Sequence, residues 1–161
     1  MTTDSALRLH IPGFLLVFTF VVALGFFLIW PPDRVARTLL FPGTTAADLS
    51  GERRLVPRTR DDERAIELLV EEMLLGPARI SHSRAVARGT RVESLMLRDD
   101  VVYLDLSERA MIGDSEVRVG VRTGLEAIVE SISYNFRFVE EIVLTIDGNV
   151  PFAPAYRSVG R

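Results

Sequence analysis

Residues 92–106 read VESLMLRDDVVYLDL, and this stretch decides the fold. Residues 92–97 and 101–106 are rich in β-branched and other apolar side chains, and the polar residues 98–100 separate them. Two such runs joined by a short polar turn predict an antiparallel β-hairpin. Because side chains alternate along a strand, the even-numbered residues of the second run form an apolar face that needs a cover.

An amphipathic helix is predicted before the hairpin, beginning at Asp61 or Asp62 because aspartate caps a helix N-terminus well. Gly76 and Pro77 end it, since glycine adopts the left-handed conformation that closes a helix and proline cannot continue one. The apolar residues of this helix have the spacing of one helix face, and they are Ile66, Leu69, Val70, Met73 and Leu74.

A second amphipathic helix is predicted after the hairpin, beginning near Asp114 or Ser115. Gly120 and Gly124 predict close packing of this helix against a sheet, and we prefer this to dimerisation in a membrane because both lie outside the apolar N-terminal run. The apolar face of the helix consists of Val121, Leu125, Ile128, Val129 and Ile132.

Three further strands are predicted, at residues 35–41, 53–56 and 142–146, and Phe152 adds a short return strand. Pro57 places the second of them at an edge, because proline lacks a ladder donor. The order ββαββαβ indicates an α+β domain. Helices that are apolar on one face only need a common surface, so we expect a mixed or antiparallel sheet with two helices on one face. The opposite sheet face is then open to water or to a partner.

The N-terminal residues 11–30 contain no charged side chain. A helix of this length, at about 1.5 Å per residue, spans the roughly 30 Å hydrocarbon layer of a bilayer. We therefore predict an uncleaved transmembrane signal anchor, with a cleaved signal peptide as the alternative because residues 22–25 include small side chains. The residues predicted to contact the bilayer are Phe14, Leu15, Leu16, Val17, Phe18, Phe20, Val21, Val22, Leu24, Phe26, Phe27, Leu28, Ile29 and Trp30.

This anchor defines the predicted organisation of the chain. It consists of a short cytoplasmic tail at 1–10, the transmembrane anchor at 11–30, a linker at 31–36, an extracytoplasmic domain at 37–157 and a tail at 158–161. Arg8 precedes the anchor and Arg34 and Arg37 follow it, so the charges are nearly balanced and leave the orientation open.

Composition limits the chemistry. The 19 basic residues are all arginine and face 22 acidic residues, and the net charge of −3 is too mild to indicate nucleic-acid binding. The absence of cysteine excludes disulfides, thiol catalysis and a lipidated-cysteine anchor. We predict no zinc site, because His82 is the only histidine of the domain, and no calcium site, because no loop has alternating acidic ligands. No cofactor is expected.

Two positions have side chains that could support catalysis. Asp105 could act as a ligand or an acid, but such a carboxylate more often accepts hydrogen bonds from backbone or arginine at a sheet edge, so we predict a structural role. His82 has Ser81 and Ser83 beside it, yet side chains adjacent in sequence usually point apart, so we predict an exposed loop. No catalytic residue is assigned.

A basic segment at residues 78–91 contains four arginines and no acid, namely Arg79, Arg84, Arg88 and Arg91. These are candidate contacts for anionic headgroups, cell-wall polymers or an acidic partner, at about 1 kcal/mol per arginine near a charged membrane surface. The bland interpretation, which we favour, is a solvated loop whose charges are balanced by acids elsewhere in the fold.

Three short motifs resemble the GerMN domain family, the sporulation and spore germination domain. LLGP at 74–77 follows a helix, VVYLDLS at 101–107 follows a polar turn, and IVLTIDG at 142–148 lies near the end, in the order typical of the family. Their family-motif residues, interpreted as structural, are Gly76, Pro77, Tyr103, Asp105, Asp147 and Gly148.

The resemblance implies a ring-building-motif-like fold on the outer side of the cytoplasmic membrane, in a family without enzymatic activity. The leading hypothesis is therefore a membrane-anchored assembly module of the cell envelope that binds an envelope protein or itself. The alternative is a domain that binds peptidoglycan or another anionic envelope polymer through the basic segment. An envelope hydrolase ranks third, since no pair of carboxylates is placed for it.

Overall fold

The computed structural model describes residues 4–29, 33–44 and 48–151, and the chain divides into two compact units, Met1–Asp33 and Arg34–Arg161. The first unit contains α1 (Asp4–Ile29), whose side chains are described from residue 13 to residue 26. Its large apolar side chains in that range are exposed, from 74% at Phe14 to 42% at Val22.

The predicted transmembrane anchor is not confirmed. Within the part of the chain that the structure describes, no helix combines the length and the apolar character needed to cross a membrane. The predicted lipid contacts at Phe27, Leu28, Ile29 and Trp30 lie outside the described side chains.

The second unit has the predicted ββαββαβ order. A single 3-10 turn (Glu108–Met111) follows the fourth strand. The elements are β1 (Arg34–Pro42), β2 (Leu49–Pro57), α2 (Asp62–Leu74), β3 (Val92–Arg98), β4 (Val101–Leu106), α3 (Val121–Asn135) and β5 (Glu141–Ile146).

The strands form two sheets, whereas one was expected. Antiparallel β1 and β2 form one sheet, and the order β3-β4-β5 forms the other. In the second sheet β3 is antiparallel to β4, and β4 is parallel to β5, so this sheet is mixed as the sequence allowed.

The sheets stay separate because side chains of α3 occupy the edge of β1. The backbone N–H of Leu40 donates to Ser131 Oγ at 2.8 Å, and the N–H of Thr38 donates to Asn135 Oδ1 at 3.0 Å. Asn135 Nδ2 returns a hydrogen bond to the Thr38 carbonyl at 2.6 Å. The amide of Asn135 thus replaces the backbone of a neighbouring strand.

The core of the second unit lies between α2, α3 and the inner faces of the two sheets. The even-numbered face of β4, from Val102 to Leu106, is almost completely buried, as predicted. The largest fully buried side chains of the core are Phe41, Leu39, Ile66, Leu69, Met73, Leu104, Leu106, Leu125, Ile128, Ile132, Leu144 and Val70.

Of the two predicted helix N-termini, one is confirmed and one is wrong. Asp61 caps α2 and accepts a hydrogen bond from the N–H of Glu63 at 3.2 Å, as expected. The predicted start of the next helix near Asp114 or Ser115 is wrong, because α3 begins at Val121. The carboxylate of Asp114 instead accepts from the N–H groups of Glu116 and Arg88, which holds this region as a turn.

Gly124 provides the close packing expected of α3, but against a loop instead of a sheet. A Cβ at this position would lie 1.8 Å from the carbonyl oxygen of Ala85. The backbone of the segment after α2 therefore lies directly on α3, where only glycine leaves enough space.

Two tight turns contain residues with positive φ angles. Asp99 and Asp100 between β3 and β4 have φ of 49° and 61°, and Asp147 and Gly148 after β5 have φ of 50° and 72°. Paired positive φ values are typical of the turns that match strand twist. Asn149 then bridges back to Ile146, and the predicted return strand at Phe152 lies outside the described residues.

Candidate functional site

A buried ionic cluster centres on Glu52 of β2, which is 5% exposed. Its Oε1 accepts from the N–H of Arg79 at 3.0 Å and lies 2.9 Å from Nδ1 of His82. Its Oε2 accepts from the N–H of Ala78 at 3.0 Å and from the guanidinium of Arg54 at 3.1 Å. One carboxylate therefore fixes the loop that follows α2 onto β2.

Two arginines hold the end of α2. Arg54 donates to the carbonyl of Gly76 at 2.6 Å and to the carboxylate of Glu72 at 3.1 Å. Arg84, which is 8% exposed, donates to the carbonyl of Leu75 at 2.8 Å. The last carbonyls of a helix lack partners within the helix and carry partial negative charge, so guanidinium groups satisfy them and complement the dipole.

The electrostatics of Glu52 fit a structural role. Burial alone raises the pKa of this carboxyl, but hydrogen bonds from Ala78, Arg79, Arg54 and His82 outweigh burial and hold the pKa below its ordinary value. A carboxylate has about four lone-pair positions, and the four donors occupy them. Glu52 therefore stays ionised and has no free position for proton transfer.

The expectation of an exposed loop at His82 is wrong. The side chain of His82 is 6% exposed and stacks on Phe41 with a centroid distance of 6.5 Å. Ser83 is also buried, and its Oγ accepts from the N–H of Arg118 at 2.8 Å. The sequence contained one signal for this cluster, since Glu52 shares a strand face with the buried Val56.

The family-motif residues near β4 and β5 are joined by one carboxylate. Asp105 accepts from Thr145 Oγ1 at 2.7 Å and from the N–H of Gly148 at 3.0 Å. Asp105 was expected at a sheet edge, but β4 is the central strand of its sheet. The carboxylate thus ties β4 to the turn at Asp147 and Gly148, which favours the structural interpretation over a catalytic one.

An open face lies on the other side of the three-stranded sheet. The strand register aligns Met96, Tyr103 and Val143 in one row across β3, β4 and β5. Met96 and Tyr103 are 44% and 41% exposed, and Val143 is half-buried. Directly opposed side chains have Cβ atoms about 4.5–5.5 Å apart, so the three form a continuous apolar strip. We call this row the open-face strip.

Three of the four candidate anion-binding arginines line one groove. A groove of about 580 Å³ lies between the end of α2 and residues 88–92, and Arg84, Arg88 and Arg91 line it. Arg88 pairs with Glu116 at 3.1 Å and Arg91 with Glu93 at 3.8 Å. Arg79 is exposed outside this groove.

The arginines of the basic segment differ in their surroundings, so neither sequence interpretation fits all of them. Arg84 departs from the solvated-loop interpretation, because it is buried and donates to a carbonyl at the end of α2. Arg88 and Arg91 are exposed and have acidic neighbours, as the balanced-loop alternative requires. In residues 4–29, 33–44 and 48–151, no three side chains of histidine, cysteine, aspartate or glutamate come together as a metal site.

Comparison with known proteins identifies relatives of the domain. The family model "Germane: Sporulation and spore germination" matches residues 38–150. No curated protein sequence matches the chain. The first GerMN domain of the sporulation protein GerM from Bacillus subtilis is 15% identical, with a TM-score of 0.51 over 78% of this chain and 94% of that one. This likeness shows the shared fold.

Two further solved structures are similar to the chain. A Clostridium perfringens protein named as a candidate lipoprotein is 21% identical, with a TM-score of 0.46 over 73% of this chain and 77% of that one. The tandem GerMN domains of Bacillus subtilis GerM are 16% identical, with a TM-score of 0.48 over 73% of this chain and 40% of that one.

Proposed function

Because the chain belongs to the GerMN sporulation and spore germination domain family, we propose that it is a non-catalytic interaction and assembly module of the bacterial cell envelope. Its activity is binding, either to an envelope protein or to a second copy of itself. The observation that carries this proposal is the open-face strip formed by Met96, Tyr103 and Val143.

The open-face strip has the character of a contact surface. A thioether, a phenol and a branched aliphatic side chain lie side by side on a rigid sheet. Tyrosine and methionine are enriched at protein interfaces, where tyrosine adds a hydroxyl that can reach a partner at the rim. The fold supplies this strip without any loop that must become ordered, so binding costs little conformational entropy.

The ionic groups support binding over catalysis. A buried carboxylate beside a histidine is the arrangement that would suggest acid–base chemistry, and Glu52 beside His82 is the instance here. The lone pairs of Glu52 are occupied by donors that fix a loop, and Asp105 is occupied in the same way by Thr145 and Gly148. These carboxylates hold the fold together.

We also propose that residues 11–30 attach the domain to the cytoplasmic membrane, with the domain on the outer side. The run has no charge, and its described apolar side chains are exposed along α1. Confinement to a surface raises the effective concentration of neighbours, so a small contact can support a complex. Carbonate extraction of membranes and protease digestion of intact cells test this part, and recovery of the chain in the soluble fraction would refute it.

Site-specific photocrosslinking tests the assembly role. Benzoylphenylalanine replaces Tyr103 in the full chain expressed in the source bacterium, and Tyr134 is the matched control because it is an exposed aromatic residue on α3. We expect ultraviolet light to give a discrete higher-mass species from position 103 and none from position 134. Mass spectrometry of that species distinguishes a second copy from another envelope protein.

Two outcomes would contradict the proposal. Absence of crosslinking at position 103, or equal crosslinking at both positions, would remove the open-face strip as a binding surface. Turnover of an envelope substrate by the purified chain, abolished by Asp105→Asn or Glu52→Gln in a variant that still folds, would favour a hydrolase.

A further inference from the structure

We propose that the groove at the end of α2 is a second docking site, which binds an acidic peptide segment of a partner protein and takes one apolar side chain of that segment against its apolar lining. This inference rests on the proposed function only in that the partner is a protein. Its surface is separate from the open-face strip, because the groove is lined by α2 and residues 84–92.

Part of the groove lining is apolar. Leu74, Leu75 and Val92 line it, and Leu75 is 70% exposed although it directly follows a buried helix face. The groove volume of about 580 Å³ falls within the range of ligand pockets, roughly 300–1,000 Å³, and is large enough for one or two side chains of a bound segment. An exposed leucine inside a concave surface is a suitable contact for an apolar anchor residue.

The groove lining also carries positive charge. Arg84, Arg88 and Arg91 line it, and among the described residues the ion-pair partners of these three arginines are two carboxylates, Glu93 and Glu116. Glu116 is shared, since it lies 3.1 Å from Arg88 and 3.7 Å from Arg84. The remaining lining carboxylate, Glu71, pairs with Arg64 at 3.5 Å.

One of the three charges is fixed and two are exchangeable. Arg84 is buried with its guanidinium on the carbonyls of α2, and its Nε makes no hydrogen bond among the described residues. This contact also neutralises the partial negative charge of the helix end that would otherwise repel an anion. Arg88 and Arg91 have side chains 71% and 77% exposed, and exposed ion pairs contribute so little that an incoming carboxylate can replace Glu116 or Glu93.

The positive charges and the apolar part of the groove lining together favour a peptide as the occupant. An anionic cell-wall glycan or a lipid headgroup is complementary to the guanidinium groups, but neither has an apolar side chain that would contact Leu74, Leu75 and Val92. A peptide with one large apolar residue flanked by aspartate or glutamate satisfies both features, and arginine binds its carboxylates with two parallel hydrogen bonds.

The test is a selection followed by affinity measurements. The full chain in detergent micelles selects binders from a random displayed twelve-residue peptide library, and the dissociation constant of the enriched peptide is measured by fluorescence anisotropy. We expect an enriched pattern of one apolar residue flanked by acidic residues. Replacing both Arg88 and Arg91 by glutamate should weaken binding at least about tenfold, because the two exposed positive charges of the groove become negative and repel the acidic peptide. Leu75→Ser should weaken it as well.

Matched controls separate the groove from general charge and hydrophobicity. Reversal of Arg98 and Arg137, which are exposed elsewhere, should leave the affinity unchanged, as should Leu55→Ser, because Leu55 is a comparably exposed leucine on β2. Circular dichroism confirms that each variant folds. Peptides without an acidic pattern, or affinities that the groove variants do not change, would overturn the proposal.

Two parallel measurements identify other occupants. If the purified cell wall or vesicles of anionic phospholipid bind the chain, and Arg88 and Arg91 reversal abolishes that binding while no peptide is enriched, the site takes an anionic polymer or surface and the peptide proposal fails. Crosslinking at Tyr103 with no groove peptide would overturn this inference alone. An enriched groove peptide without crosslinking at Tyr103 would instead remove the open-face strip.

Discussion

Replacing Glu52 with glutamine should destabilise the domain by about 3 kcal/mol, because breaking a buried ionic contact by changing one partner typically costs about 3–5 kcal/mol. The amide keeps one acceptor oxygen but turns the other position into a donor. That position would then face the N–H of Ala78 and the guanidinium of Arg54, or those of Arg79 and His82. Each buried donor left unpaired costs about 1–3 kcal/mol, so two of them account for the expected loss.

Urea unfolding of the full chain in detergent, followed by circular dichroism, measures this loss. Glu72→Gln is the matched control, because Glu72 also pairs with Arg54 but its side chain is 30% exposed. Partly exposed ion pairs contribute about 0–1 kcal/mol, so this variant should lose less than about 1 kcal/mol. If Glu52→Gln loses no more stability than Glu72→Gln, the Glu52 cluster does not hold the fold as argued.

Three other substitutions or conditions test the same structure. Because the pKa of Glu52 is lowered, its carboxylate stabilises the fold above the ordinary carboxyl pKa and this contribution disappears as pH falls through the folded-state pKa. Between neutral pH and acid, the unfolding free energy of the native chain should therefore fall further than that of Glu52→Gln, and a parallel fall would contradict this. Asp114, whose pKa is also lowered, is present in both chains and does not affect the comparison. Gly124→Ala should lower the free energy of unfolding in urea by about 2 kcal/mol, because the added Cβ overpacks against Ala85. Gly113→Ala is the control, since a Cβ there meets nothing within 4 Å, and it should change that free energy by no more than about 0.5 kcal/mol. Equal losses would argue against the close approach. Asn135→Ala should cost about 2 kcal/mol, because two part-buried hydrogen bonds to the backbone of Thr38 are lost. Asn149→Ala, at an exposed residue, is the control, and its loss must be smaller.

The elements with local patterns could be predicted from the sequence. The order of strands and helices, the cap at Asp61 and the hairpin turn at Asp99 and Asp100 each depend on residues within one element or turn. Periodicity and capping act over a few residues, so they can be recognised without knowing the rest of the fold.

The sites formed by distant residues could not be predicted in this way. The pairing of Glu52 with His82 joins residues thirty positions apart, and the burial of His82 depends on the loop geometry that Glu52 itself fixes. Likewise, the start of α3 was misplaced because Asp114 caps nothing and instead accepts a hydrogen bond from Arg88 across the fold. Aspartate is favoured in turns as well as at helix caps, and the sequence does not distinguish the two.

The division into two sheets has the same origin. β1 has the sequence of an ordinary strand, and only the side chains of Ser131 and Asn135, more than ninety residues away, decide that it pairs with a helix. The candidate binding site shows the same limit of sequence-based prediction. The sequence groups four arginines by their positions in the chain, but only the fold shows that three of them line one groove.

The contact of Asn135 and Ser131 with β1 also restricts how copies of this domain can aggregate or polymerise. An exposed strand edge invites another chain to extend the ladder without limit, and such growth leads to fibres. Since Thr38 and Leu40 already have their polar backbone groups satisfied, the hairpin cannot be extended on that side. Copies of this domain should therefore not associate by adding a strand at this edge of β1, and any assembly must use side-chain contacts there.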